Sequence, residues 1–191
     1  MPGLGRPGSA LLIIGLAPGL RGANTTGRPF TGDHSGALLQ AALSDTGIVV
    51  SAPPETGHGR MIACRITNAV RCAPPGNRPT AAEAAACRRF VAAELAAVPE
   101  RGVVLAVGRL AHGAVLAALG IRPGSAPFGH GAVHVLPGDR RLVDSYHCSR
   151  LNTSTRRLTP KMLADVLRLA ARLARHARGM ESPGQGSTSG R

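Results

Sequence analysis

The stretch Ala10-Leu-Leu-Ile-Ile-Gly-Leu-Ala17, running straight into Pro18-Gly19, decides the architecture. It is a continuous apolar run of strand length, closed by turn residues, which reads as a strand buried on both faces and hence as part of a parallel sheet. Working outward, residues 61–70 alternate and are rich in Ile, Val and Thr, giving a second strand. Residues 102–107 form a third buried strand, and 141–146 a fourth, preceded by a hairpin turn at Pro137-Gly138-Asp139. Helices fall between them. One spans about 37–46. Thr80 opens another, reaching about Val98, with Glu83 three residues on completing a capping box. A third covers 110–119 and is closed by Gly120. Thr159 caps the last, which begins at Pro160 and runs to about Arg178. Strands alternating with helices predict a three-layer α/β/α sandwich around a central, mainly parallel, four-stranded sheet. Residues 1–180 are expected to form a single domain, and the Ser/Gly-rich stretch 181–191 a disordered tail.

Of 191 residues, 43% are hydrophobic but only 2% aromatic, so the core must be built from Ala, Val, Leu and Ile. The formal net charge of +13 favours a polyanionic partner such as nucleic acid, against the blander reading that arginine is merely abundant. No run approaches the length of a membrane span. The apolar stretch at 10–17 meets Gly and Pro too early for a secretory signal. Four cysteines without such a signal do not suggest a disulfide scaffold. A cytoplasmic, monomeric protein that binds DNA and no membrane is the expectation.

In sheets of this class, ligand sites gather at the carboxyl ends of the strands. The three loops of most unusual composition all follow strands: 15–36, 71–79 and 147–159. They should therefore converge. In the first, Phe30 sits among glycines, placed either to stack on a nucleobase or to plug the loop. Asp33 stands before a helix, where an isolated Asp is more often a cap than a catalytic carboxylate. The glycine spacing fits neither a dinucleotide fingerprint nor a phosphate-binding P-loop. In the third, His147 at a strand end precedes a loop rich in Ser, Arg, Asn and Thr. That is the chemistry of an electrophile beside a phosphate-contacting segment, although a histidine taken alone at such a position is more often a satisfied surface residue.

Three segments together resemble the uracil-DNA glycosylase superfamily, specifically its family 5. Gly15-Leu-Ala-Pro-Gly19 is similar to the family's first motif, and Thr26-Gly-Arg-Pro-Phe-Thr-Gly-Asp33 to its base-stacking and catalytic loop. Ser145-Tyr-His-Cys-Ser-Arg-Leu-Asn152, with Arg157-Leu-Thr159, is similar to its final His-containing motif. Classical members carry an Asp at the position of Ala17 and family 4 members a Glu at that of Leu16. Both are apolar here, so the resemblance moves the catalytic role to Asp33. Gly19 stands where classical members place a Tyr that excludes the thymine methyl group, which implies a pocket open to bulkier bases. No Arg-Arg-Ile-His-like element of the covalently trapping branch is present.

The resemblance implies hydrolysis of the N-glycosidic bond of uracil and other deaminated or damaged bases in DNA, as in base excision repair. Asp33 and His147 would be catalytic. Gly15, Leu16, Ala17, Gly19, Asn24 and Phe30 would shape the base site. Either Asn68, by family 4 likeness, or Asn77, by its place in the turn, would read the base edge. Ser149, Arg150, Asn152 and Arg156 would meet DNA. Cys72 and Cys87 match one pair of the [4Fe–4S] ligands of relatives, whose other pair is an N-terminal Cys-x-x-Cys. The resemblance therefore implies that a segment carrying that pair precedes residue 1, and that these residues by themselves hold half a site. The alternative is a nucleic-acid-binding protein of the same fold without catalysis. A basic α/β protein acting on free nucleotides is a more distant one.

Overall fold

In the computed structural model, residues 1–50 and 61–177 are described. They form a six-stranded sheet in the order β2-β3-β1-β4-β6-β5. The strands are β1 (Leu11–Gly15), β2 (Ile48–Val50), β3 (Ile62–Asn68), β4 (Val103–Val107), β5 (Val133–Val135) and β6 (Arg141–Ser145). All neighbours run parallel except β5, which pairs antiparallel with β6. The four strands read from the sequence are the inner four. The two additional ones, β2 and β5, are edge strands of three residues each. Three residues are too few to show a period of two, so only pairing with a longer neighbour makes them strands. The expected tail at 181–191 lies outside the described residues.

The apolar run that set the expectation forms β1 at the centre of the sheet, and all five of its residues are buried. Successive side chains leave a strand on opposite faces. Leu11 and Ile13 accordingly join the core under α2 (His34–Thr46) and α6 (Pro160–Ala177). Leu12 and Ile14 join the second core, under α3 (Ala81–Ala97) and α4 (Arg109–Ala118). β4 divides in the same way, Val103, Leu105 and Val107 to one side and Val104 and Ala106 to the other. Helices thus cover both faces, α2 packing on α6 and α3 on α4. The helix ends follow the local chemistry. Thr80 and Glu83 form the capping box of α3. The Thr159 hydroxyl accepts from the Met162 amide at 3.2 Å at the start of α6. α2 begins three residues earlier than its apolar pattern shows, because Asp33 caps it and the polar first turn carries no period.

One buried charged group holds the β3 side. Glu94 of α3 receives two bonds from Arg65 and one from Arg71 at 2.8 Å, and Arg65 also donates to Gly5 O at 2.6 Å. A carboxylate met by two guanidinium groups is a buried charge with its partners supplied. Among the described residues no helix is long and apolar enough to cross a membrane.

Candidate active site

The chain leaves β1 at the centre of the sheet, passes through β2 and β3 on one side, then crosses to β4 and β6 on the other. The loops after β1, β3 and β6 meet at the carboxyl ends, as a topological switch point requires. They enclose a cavity of about 770 Å³. Leu16, Ala17, Gly19, Phe30 and Asp33 line it from the first loop, Asn68 from the end of β3, Asn77 from the second loop, and His147, Ser149 and Arg150 from the third. Composition had singled out these three loops, and the structure brings them together.

Glycines mould the base end of this cavity. A Cβ on Gly15 would stand 2.5 Å from the Phe30 ring and 2.6 Å from Asn68 Oδ1, so the ring and the amide close over a residue that must lack a side chain. Gly15 therefore supports the site from behind; it does not line the cavity. Phe30 is only 7% exposed and has φ +53°, a left-handed backbone that is strained for an aromatic residue. A Cβ on Gly36 would meet the Phe30 carbonyl carbon at 2.6 Å, so the first turn of α2 fits tightly beneath that strained residue. Asn68, the last residue of β3, is 4% exposed beside the ring. Asn77 lies at the exposed mouth with φ +56°, where its Oδ1 accepts from the Leu20 amide at 3.4 Å. Both candidate edge readers thus line the cavity, Asn68 at the buried end and Asn77 at the rim.

Asp33 has two attachments. Its Oδ1 accepts from the Gly36 amide at 2.7 Å, capping α2. Its Oδ2 lies over Gly19 and Gly22, where added Cβ atoms would stand 2.7 and 2.6 Å away. The cap reading and the cavity reading of Asp33 are therefore compatible, one oxygen serving each. Gly19 accordingly has a second reason to lack a side chain: the space beside it belongs to the Asp33 carboxylate.

His147 lines the same cavity from the third loop. Gly108, at φ +103°, leaves room for it, since a Cβ there would meet His147 Cβ at 3.1 Å. Burial pulls the His147 imidazole below its ordinary value, and the negative charge of Asp33 pushes it partly back. Burial therefore favours the uncharged ring, which can donate one N–H. Asn152 Nδ2 donates to the His147 carbonyl at 2.8 Å, and Ser149 caps α5 (Arg150–Ser154) by accepting from the Asn152 amide at 3.4 Å. Asn152 therefore positions the His147 loop and does not line the cavity. Tyr146, just before His147, stacks on His130 with ring centroids 5.0 Å apart and carries Arg157 over its ring. His34 Nε2 lies 3.0 Å from Thr153 Oγ1, tying the Asp33 loop to α5.

Asn24 sits exposed on the short helix α1 (Ala23–Thr26), outside the cavity lining, its backbone amide bonded to Gly19 O. Arg156 is exposed with φ +57°, also outside the lining. Among the lining residues that the sequence reading did not single out are the polar Arg21, His34, Ser35 and Arg78. Arg78 follows Asn77 and Arg21 lies two residues past Gly19, and in a chain of net charge +13 that proximity was the available signal.

The cysteines divide into two pairs. Cys64 and Cys148 are fully buried in the core, and burial pushes both thiols up to about 12. Cys72 is exposed on the turn after β3, and Cys87 on α3 is 8% exposed. The Met1 amino group donates to the carbonyl of Arg71, next to Cys72, at 2.8 Å. Among the described residues, no cysteine joins a group of three or more possible metal ligands. A [4Fe–4S] cluster takes four thiolates. The residues present do not fit one by themselves.

The model of the uracil DNA glycosylase superfamily matches residues 2–171. The chain belongs to the uracil-DNA glycosylase superfamily. It is 50% identical over 177 residues to a type-5 uracil-DNA glycosylase of Thermus thermophilus, covering 91% of this chain and 80% of the relative. A type-5 uracil-DNA glycosylase of Pyrobaculum aerophilum is 44% identical over 90% of this chain and 75% of its own length. The likeness to a type-4 uracil-DNA glycosylase of Archaeoglobus fulgidus is weaker, 32% over 58% of this chain and 49% of the relative. The superfamily resemblance read from the three motifs is thereby shown, and the similarity is greatest on the type-5 side.

Proposed function

We propose that this chain is a DNA-repair glycosylase that hydrolyses the N-glycosidic bond of uracil in DNA and accepts other deaminated or damaged bases. The observation that carries the reading is the convergence in one cavity of an aromatic ring, an amide, a carboxylate and an imidazole. Duplex DNA does not expose the bond, so the nucleotide must be flipped out of the stack. That costs a few kcal/mol, less for a mispaired base. Phe30 stacks on the flipped base and Asn68 meets its edge at the buried end. As the bond breaks, positive charge develops on the sugar and negative charge on the departing base. Asp33 stabilises the sugar or orients the attacking water, and His147 donates to the base oxygen that becomes negative. Ser149, Arg150, Arg21 and Arg78 line the side that faces the phosphates, and the net positive charge strengthens the encounter. The protein acts as a monomer, and Cys72 and Cys87 are the two thiols it offers to an iron–sulfur cluster.

Breadth of substrate rests on the wall formed by Leu16, Ala17 and Gly19, whose own side chains include neither a carboxylate nor a bulky ring, the Asp33 carboxylate taking the space beside Gly19. The pocket then selects by leaving-group ability and ease of flipping. 5-Hydroxymethyluracil, hypoxanthine and ethenocytosine should be released along with uracil opposite guanine. Single-turnover excision from otherwise identical duplexes tests both levels. Asp33→Ala and His147→Ala should each slow uracil release by roughly 10²–10³-fold while DNA affinity, read by anisotropy, stays nearly intact. An Asp33→Asn variant as fast as the parent would reduce Asp33 to a helix cap. Release of uracil alone would reject the breadth and leave the glycosylase standing.

A further inference from the structure

Behind the strand that presents His147, three groups converge that the glycosylase reading does not use. Asp144 on β6 has no exposure, and His112 on α4 is 4% exposed. His112 Nε2 lies 2.9 Å from Ala126 O, and Nδ1 lies 2.8 Å from Asp144 Oδ1. A carbonyl oxygen only accepts, so Nε2 carries the N–H. In the neutral ring, Nδ1 is then a bare lone pair facing a carboxylate oxygen. Two lone pairs at that distance, away from water, repel unless a cation stands between them. From edge strand β5, His134 Nε2 lies 3.5 Å from Asp144 Oδ2, out of contact with solvent and without a hydrogen bond. The Gly129 amide, at 3.4 Å from Oδ2, is a long contact and does little to quiet the carboxylate.

We propose that His112, His134 and Asp144 form a site for a transition metal ion of the zinc class. A proton shared by His112 and Asp144 would settle that pair and leave His134 Nε2 unsatisfied, whereas a metal ion satisfies all three. The three ligand atoms lie within 4.8 Å of one another. Bonds of about 2.0–2.1 Å hold tetrahedral ligands ~3.3 Å apart, so the 2.8 Å His112–Asp144 pair opens by about 0.5 Å while the third ligand moves by roughly 1 Å. That shift falls to His134, whose side chain on the edge strand keeps 15% exposure and leaves a path for a solvent ligand. The His112 N–H bonded to Ala126 O is the outer contact that fixes a metal-bound imidazole in the right tautomer. Two imidazoles and one carboxylate suit zinc, cobalt or nickel and not the oxygen-seeking magnesium or calcium. The ion would fasten α4, β5 and β6 together. It would also hold the segment that pairs with Asp144 through Gly131 N and Ala132 O, three residues before His147.

The experiment is a Co²⁺ titration of the full chain after chelator treatment, with Zn²⁺ as competitor. One equivalent should bind, give visible d–d bands without a thiolate charge-transfer band, raise the Tm and be displaced by Zn²⁺. His134→Ala should weaken binding at least about tenfold. Equal binding by the parent and His134→Ala, or a thiolate band marking the cysteines as the ligands, would overturn the proposal. A measurement on the parent alone covers the case in which the variant does not fold. Nitrogen NMR of His112 should show Nδ1 shifting when Zn²⁺ is added. A doubly protonated ring indifferent to Zn²⁺ would assign the charge to a proton and overturn the site.

Discussion

Placing a methyl group on Gly19 or Gly22 tests how the site aims its carboxylate. At Gly19 the new Cβ would lie 2.7 Å from Asp33 Oδ2 and 3.9 Å from Cγ, so swinging the tip of the carboxylate relieves most of the clash. At Gly22 it would lie 2.6 Å from Oδ2 and 2.8 Å from both Cβ and Cγ, so the whole side chain must move. Carbon atoms settle near 3.5 Å or beyond, which puts the displacement at Gly22 at roughly 0.7 Å. A misplacement of about 1 Å can cost on the order of 10²-fold in rate. Gly22→Ala should approach that loss, and Gly19→Ala should lose less. Because Asp33 also caps α2, Gly22→Ala should lose about 1 kcal/mol of stability, a fall of roughly 2–4 °C in Tm for a chain of this size. The assay is single-turnover uracil excision in a double-mutant cycle with Asp33→Ala. In that background the Oδ2 contact is gone, and Gly19→Ala should cost nothing further. If the Gly19→Ala loss persists undiminished without the Asp33 carboxylate, Gly19 acts only as an open wall for the base and the clearance argument is refuted. The same geometry qualifies any bulkier substitution: Gly19→Tyr narrows the pocket and disturbs Asp33 together.

Other outcomes follow from the same geometry. The His147 proton should titrate below 6.5 by NMR, and Asp33→Asn should lower it further, since the Asp33 charge raises it; an upward shift would contradict the pairing. Folded His147 binds fewer protons than unfolded His147 between these values. Its contribution to stability is therefore full above 6.5 and declines as pH falls through the window down to the depressed value. Thiol labelling of the folded chain near pH 8 should reach Cys72 first and leave Cys64 and Cys148 unmodified until denaturant is added; early loss of either buried thiol would refute their placement. Gly113 in α4 has open space around its would-be Cβ, so Gly113→Ala should add about 0.5–1 kcal/mol in denaturant titrations.

Much of the molecule is legible in local sequence, because local physics sets it. An unbroken run such as Leu11–Gly15 has one stable disposition, between two layers of helices. Thr80 with Glu83, and Thr159 before Pro160, fix helix ends through bonds made within three residues. Strand-to-loop order alone placed Asp33, Asn77 and His147 at one edge of the sheet. Other features depend on approaches between segments far apart in the chain, and no local pattern carries those. β2 and β5 exist as strands only beside β3 and β6. The bond from Asn152 to the His147 carbonyl is set by the fold of that loop, and Asn24 is carried away from the cavity. The clearance that Gly19 and Gly22 give Asp33, and the meeting of His112, His134 and Asp144, join residues up to 32 positions apart. Sequence determined the layers, the helix ends and the chemistry available at the strand ends. Tertiary structure decided which of those groups face one another, because side-chain distances across a sheet depend on the register and packing of the whole core.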